Sequence, residues 1–140
     1  FGLMEATASA VKENGGVVVG VVPDILEERG RVSSLLTEKV PCRNLSERKD
    51  IMLSRSDILV ALPGGIGTLD EIFHVAAAAT IGYHSKPVVL YNVNGFWNGM
   101  TNVLESMSAT GFLRGNMESY ILVANDINEL ENIILQYTNG

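Results

Sequence analysis

Three glycines, a threonine and a glutamate fall close together in Pro63-Gly64-Gly65-Ile66-Gly67-Thr68-Leu69-Asp70-Glu71. Glycine lacks a Cβ, so a backbone built from it can take positive φ and come close to an anion. Thr68 adds a hydroxyl donor. If a helix starts here, its unpaired first-turn N–H groups and its dipole complete an anion site without any lysine. That suits a monophosphate. A P-loop requires Gly-Lys-Ser/Thr after its glycines, and a dinucleotide fingerprint requires Gly-x-Gly-x-x-Gly; neither is present, so ATPase and dehydrogenase readings lose weight. A glycine-rich turn that merely joins strand to helix is the bland alternative.

Glu71 follows Thr68 by three residues and shares its helical face, within reach of a sugar attached to a phosphate at the helix start. Cleavage of an N-glycosidic bond develops positive charge on the sugar. A nearby carboxylate can stabilise that charge, or orient and activate a water. Acidic residues near a helix start are also common for the dipole alone, which is the reading for Asp70. For Glu71 both readings stand. Arg43, Arg48, Lys49 and Arg55 place four of the ten basic residues between positions 43 and 55. Such clusters are usually solvated faces, yet Arg48 shares a helical side with Ile51, Met52 and Arg55, and an inward arginine would face a carboxylate or phosphate.

The elements that must position these residues alternate along the chain. Residues 4–14 favour a helix ended by Gly15-Gly16, and residues 17–22 form a β-branched run closed by Pro23, as in a strand covered on both faces. Residues 24–36 are charged and weakly periodic and read as a loop, one that could order over a ligand or partner. A short strand follows at 38–41. Asn44-Leu45-Ser46-Glu47 has capping-box spacing ahead of a helix over 45–55. A buried strand spans 58–62 and a helix spans 68–81 with Gly82 beyond it, so the glycine motif lies at a strand's carboxyl end, where open α/β sheets bind ligands. Further on come a strand at 88–91, an Asn94-Gly95 turn, a helix over 96–109 stopping near Gly111, and a strand at 120–123. Asp126-Ile127-Asn128-Glu129 repeats the capping-box spacing before a last helix with Leu130, Ile133, Ile134 and Tyr137 on its apolar side. The alternation predicts a parallel sheet with helices on both faces. The small residues of Ala76-Ala77-Ala78-Ala79 suit close helix packing in a core or dimer interface. Trp97 reads as a packing residue, and His74 as packed or solvated rather than catalytic.

The 140 residues, 46% hydrophobic, suffice for one domain with a real core. A formal charge of -6 argues against long nucleic acid or an anionic membrane as partner. One cysteine, Cys42, excludes an internal disulfide, and two histidines without Cys neighbours give no zinc spacing. No apolar run reaches membrane-span length and no signal-peptide pattern opens the sequence, so a soluble, cytoplasmic setting is expected. The first residue is Phe1, which leads to the expectation of a segment removed upstream.

The Pro-Gly-Gly-x-Gly-Thr-x-x-Glu form of Pro63 to Glu71, the Arg48-Lys49 pair upstream and Ser56-Asp57 before the strand resemble the LOG (Lonely Guy) family. The resemblance extends to Gly2-Leu3-Met4, Gly20-Val21-Val22-Pro23, Gly82-Tyr83-His84-Ser85-Lys86-Pro87 and Asn92-Val93-Asn94-Gly95-Phe96, nearly the whole chain. It implies a single Rossmann-like, doubly wound α/β domain over residues 1–140 that lacks its first βαβ portion, and commonly a homodimer. It implies hydrolysis of a nucleoside 5′-monophosphate, AMP or a cytokinin riboside monophosphate, to free base and ribose 5-phosphate. No metal or organic cofactor is implied. By motif, Arg48 and Glu71 become the catalytic pair, Gly64, Gly65, Gly67 and Thr68 hold the phosphate, and Lys49 is a further substrate contact. Members are often labelled lysine decarboxylases, but Lys12, Lys39, Lys49 and Lys86 have no recognisable pyridoxal-phosphate setting. Glu5 stands where a glycine is usual, Leu45-Ser46 replaces Met-His, and Ala77-Ala78-Ala79-Thr80 replaces Thr-Trp-Ala-Gln, which leaves base preference open. The rival readings are a protein that carries a nucleotide or pterin-type cofactor without hydrolysing it, and a shortened, catalytically silent form.

Overall fold

The computed structural model describes residues 2–138. Its contacts divide into two compact units, one through Arg55 and one from Ser56.

In the first unit, helix α1 (Gly2–Glu13) precedes strand β1 (Val19–Pro23), helix α2 (Asp24–Glu28), strand β2 (Glu38–Cys42) and helix α3 (Leu45–Ser54). β1 and β2 pair in parallel, Val19 opposite Glu38 through Pro23 opposite Cys42. Both α2 and α3 pack on β1. The burial they provide is confined to the carboxyl half of the strand: Val22 is buried, whereas Val17 and Val19 are 66% and 40% exposed. The expected strand covered on both faces is therefore corrected to one covered at its ligand-side end. The reading of residues 24–36 as loop is also corrected at its start. Asp24 and Glu27 in the first turn of α2 suit the helix dipole. Gly30, at φ +65°, ends the helix by donating to the Glu27 carbonyl while Arg31 N–H donates to Leu26, a Schellman closure.

The second unit carries strand β3 (Leu59–Ala61), helix α4 (Ile66–Thr80), strand β4 (Val88–Tyr91), a 3-10 turn (Val93–Gly95), helix α5 (Asn98–Ala109), strand β5 (Ile121–Ala124) and helix α6 (Ile127–Thr138). The strands form a parallel sheet in the order β3-β4-β5, with Ala61 opposite Leu90 and Leu90 opposite Val123. Parallel neighbours need helical crossovers, which is the α/β architecture the alternation predicts and is consistent with the Rossmann-like fold the resemblance implies. Val89, Ala124 and Leu130 form a core with Ile58, Val60, Tyr91, Leu122, Ile133 and Ile134 against it. Val88 and Leu90, which alternate to the other face of β4, are buried too, so this strand is covered on both sides. Tyr137 is 38% exposed and lies at the edge of the apolar side assigned to it.

His84 fastens the segment between α4 and β4. Its Nδ1 accepts from Lys86 N–H at 2.9 Å, so the ring's proton sits on Nε2, which bonds the Val75 carbonyl of α4 at 2.9 Å.

Candidate active site

The glycine turn leaves the carboxyl end of β3 and enters α4 two residues earlier than the sequence predicts, at Ile66 rather than Thr68. Gly65 is the N-cap and, having no side chain, supplies no cap hydrogen bond. The first-turn N–H groups of a fifteen-residue helix are thus left without a side-chain acceptor from the cap position.

None of Gly64, Gly65 and Gly67 has positive φ. The expected conformational reason for these glycines is therefore overturned, and spatial reasons take its place. A Cβ on Gly64 would stand 2.2 Å from Thr68 Oγ1 and 3.0 Å from Thr68 Cβ, so the turn is folded tightly under the threonine. A Cβ on Gly65 or Gly67 would meet nothing within 4 Å. Inside a helix, glycine costs roughly 1 kcal/mol relative to alanine, and no neighbour in the fold demands that cost at Gly67.

The earlier helix start also changes the meaning of the acidic pair. With Ile66 as the first helical residue, no acidic residue lies in the first turn, and dipole effects fade within that turn. Asp70 and Glu71 therefore sit past the place where the dipole alone would explain them. Asp70 is exposed and Glu71 half-buried. Gly67 and Glu71 share a helical face four residues apart, and helical side chains lean toward the N-terminus. The missing side chain at Gly67 thus leaves the approach to Glu71 clear.

Arg48 and Lys49 lie in the first unit, on α3. Asn44 caps this helix, its Oδ1 accepting from Glu47 N–H at 2.9 Å. The basic cluster resolves into different roles. Arg43 points outward and donates to Glu47 at 2.7 Å, and Arg55 bridges to Glu38 at 3.3 and 3.4 Å. Arg48 is half-buried, and its Nε is shut from solvent with no hydrogen-bond partner. Lys49 is also half-buried. A buried charged donor without an acceptor is costly, and this distinguishes Arg48 from Arg43 and Arg55, whose charges are paired. Nearby Cys42 is buried at the end of β2, and burial pushes its thiol pKa up; the Arg48 charge opposes this, while Glu47 and Asp24 add to it.

Gly64, Gly65, Gly67, Thr68 and Glu71 are thus gathered on one strand-turn-helix, and Arg48 and Lys49 on one helix. Among the described residues no group of three or more His, Cys, Asp and Glu could hold a metal ion, and no helix is long and apolar enough to cross a membrane. An open hollow of ≈ 320 Å³ beside α2 is lined by Asp24, Glu27 and Glu28, the wrong sign for a phosphate.

A family model described as "possible lysine decarboxylase" matches residues 4–134. The chain belongs to this family, the LOG family. Among LOG relatives, it is 36% identical over 130 residues to cytokinin riboside 5′-monophosphate phosphoribohydrolase LOG5 of Arabidopsis thaliana, covering 93% of this chain and 57% of the relative. It is 37% identical over 137 residues to the probable phosphoribohydrolase LOGL9 of Oryza sativa subsp. japonica, covering 98% and 60%. A bacterial LOG relative, the cytokinin riboside 5′-monophosphate phosphoribohydrolase of Rhodococcoides fascians, is 35% identical over 127 residues, covering 90% and 64%. The chain therefore spans about six tenths of the length of these curated relatives.

Sequence reasoning missed Asn92, the one buried polar residue among those described. Its sequence signal is faint: a single asparagine after an apolar strand.

Proposed function

We propose that the protein is a nucleoside 5′-monophosphate phosphoribohydrolase, an N-glycosyl hydrolase acting on AMP or a cytokinin riboside monophosphate. The observation that carries this reading is the start of α4, whose cap residue Gly65 offers no side-chain acceptor and which is open above Gly65 and Gly67, with a carboxylate one turn further on. The activity for which its LOG relatives are named supports it.

The 5′-phosphate accepts from the N–H groups of Gly64 and Gly65 in the turn and of Gly67 in the first turn of α4, and from the Thr68 hydroxyl. Glu71 then faces the ribose. The bond from C1′ to the base nitrogen breaks, its electron pair leaving with the base, and positive charge spreads over C1′ and the ring oxygen. Glu71 stabilises that charge and takes a proton from the attacking water, whose oxygen bonds C1′. Glu71 returns to solvent the proton it took while the departing base takes one up, so the products are free base and ribose 5-phosphate and the carboxylate is restored. Arg48 supplies a planar cation that holds its anionic partner in place through paired hydrogen bonds, and Lys49 adds a further contact. The working form is a cytoplasmic homodimer with no metal or organic cofactor.

Chromatographic detection of adenine and ribose 5-phosphate after incubation of AMP, or of a cytokinin riboside monophosphate, with full-length protein tests this directly. Release of base in step with ribose 5-phosphate is expected. Tight nucleotide binding without release would overturn the hydrolase in favour of a nucleotide carrier.

A further inference from the structure

Asn92 follows the last residue of β4 and is 5% exposed. Its backbone N–H donates to the Ala124 carbonyl at 2.7 Å, which extends the parallel ladder past the end of the sheet. Its side-chain Nδ2 donates to Asn98 Oδ1 at 2.9 Å and to Asn125 Oδ1 at 3.0 Å, while its Oδ1 accepts from Trp97 N–H at 2.7 Å. One buried carboxamide therefore ties together the end of β4, the start of α5 and the residue after β5.

The turn between them is shaped for this contact. Asn94 has φ 55°, the one positive φ among described non-glycine residues, and Gly95 follows at φ 69°. A Cβ on Gly95 would stand 2.6 Å from Asn98 Nδ2. Ala61 of β3 is paired with Leu90 of β4, and Pro63, the first residue of the glycine turn, and Asn92 each follow two residues beyond that pair at the carboxyl ends of the two strands. The knot and the phosphate turn thus leave adjacent strands at the same edge of one sheet.

We infer that Asn92, held by Asn98 and Asn125, is a positioning residue for the phosphate turn, fixing the neighbouring β4–α5 turn as a rigid wall beside it. The inference rests on the phosphate-binding role proposed for Gly64 to Thr68. A buried polar network with every bond made has one low-energy arrangement, whereas an apolar plug of the same volume would leave the loops freer to shift. The energy of such a knot is spent on geometry, and the geometry it fixes is at the ligand end of the sheet.

The test uses full-length protein and ribose 5-phosphate as probe, with binding measured calorimetrically beside KM and kcat for AMP and a thermal melt. Asn92→Ala and Asn98→Ala should each weaken ribose 5-phosphate binding about tenfold, the scale expected when a site is slightly misplaced. KM should rise in parallel with little change in kcat. Asn98→Asp keeps the acceptor oxygen and should bind as the wild type does. Asn98 is exposed, so its variants decide the matter even if Asn92→Ala fails to fold. A lowered melting temperature with ribose 5-phosphate affinity within about twofold of wild type would overturn the inference. Wild-type protein that binds ribose 5-phosphate but releases no base would defeat the hydrolase and leave the positioning role to be judged on binding alone. Wild-type protein that does not bind it would defeat both.

Discussion

Two helix starts in the second unit are built in opposite ways. At α6, Asp126 Oδ1 accepts from Glu129 N–H at 2.8 Å, and Glu129 reaches back to accept from Asn125 N–H at 2.6 Å. The free N–H groups find acceptors within the chain, and the helix is finished where it begins. At α4 the cap is Gly65, the next residues include Gly67, and the carboxylates are withdrawn to the second turn. A sequence able to write a complete capping box at one helix leaves it unwritten at another. The difference teaches that the α4 start forgoes the local stability a capping side chain gives, which is what the proposed anion site at its N–H groups requires.

The strongest way to break this comparison is to remove the charge that α4 holds back. Glu71→Gln should lower base release by about 10² to 10⁴-fold with nucleotide affinity little changed; unchanged turnover would show that Glu71 has no part in the chemistry. Next in size is to give α4 what α6 has. Gly65→Asp places a capping carboxylate where the phosphate is proposed to sit, so ribose 5-phosphate affinity should fall by about tenfold or more while the melting temperature holds, since capping groups favour the helix. The reciprocal change, Asp126→Ala, should cost about 1 kcal/mol in denaturant titration and leave binding alone.

A finer test separates stability from function at one atom. Gly67→Ala improves helix propensity by roughly 1 kcal/mol and meets no neighbour, so it should raise the melting temperature and at the same time weaken ribose 5-phosphate binding. Gains in both would mean that the space above Gly67 serves no ligand. The smallest effect lies at α3, whose opening glutamate is tied outward. The hydrogen bond from Arg43 holds the Glu47 carboxyl below its ordinary value. A carboxylate lowered on folding adds stability that is present above its unfolded pKa and is lost as pH falls through the folded one. Both groups are solvent-facing, so Glu47→Gln should lower stability slightly at neutral pH, leave it unchanged at acid pH where the carboxyl is protonated in both states, and so flatten the acid limb of the profile.

The glycine motif was legible because proline, three glycines and a following threonine punctuate the chain wherever they occur. The helix start was misplaced by two residues because Gly65-Ile66-Gly67 reads as turn by propensity, and the context that makes it helical is tertiary. The helix α2 was missed for a related reason: five residues carry too little periodicity to register, and its closure at Gly30 shows only in the backbone. The apolar run before Pro23 reads as a strand buried on both faces and does not have that burial, whereas the run at β4 does. Asn92 could not be foreseen as a hub, since its partners Asn98 and Asn125 lie six and thirty-three residues away. Arg48 could be singled out by its helical side, but its orphaned Nε belongs to packing.

Trp97 is the chain's single tryptophan and Cys42 its single cysteine. The first is buried in the second unit and clasped by Asn92, and the second is buried in the first unit. Nature has thereby wired the molecule with two independent reporters. Indole fluorescence follows one half as it loosens, and thiol labelling follows the other. Whether the halves come apart in a single step or in sequence can be read without any added mutation, from one heating run and one thiol reagent.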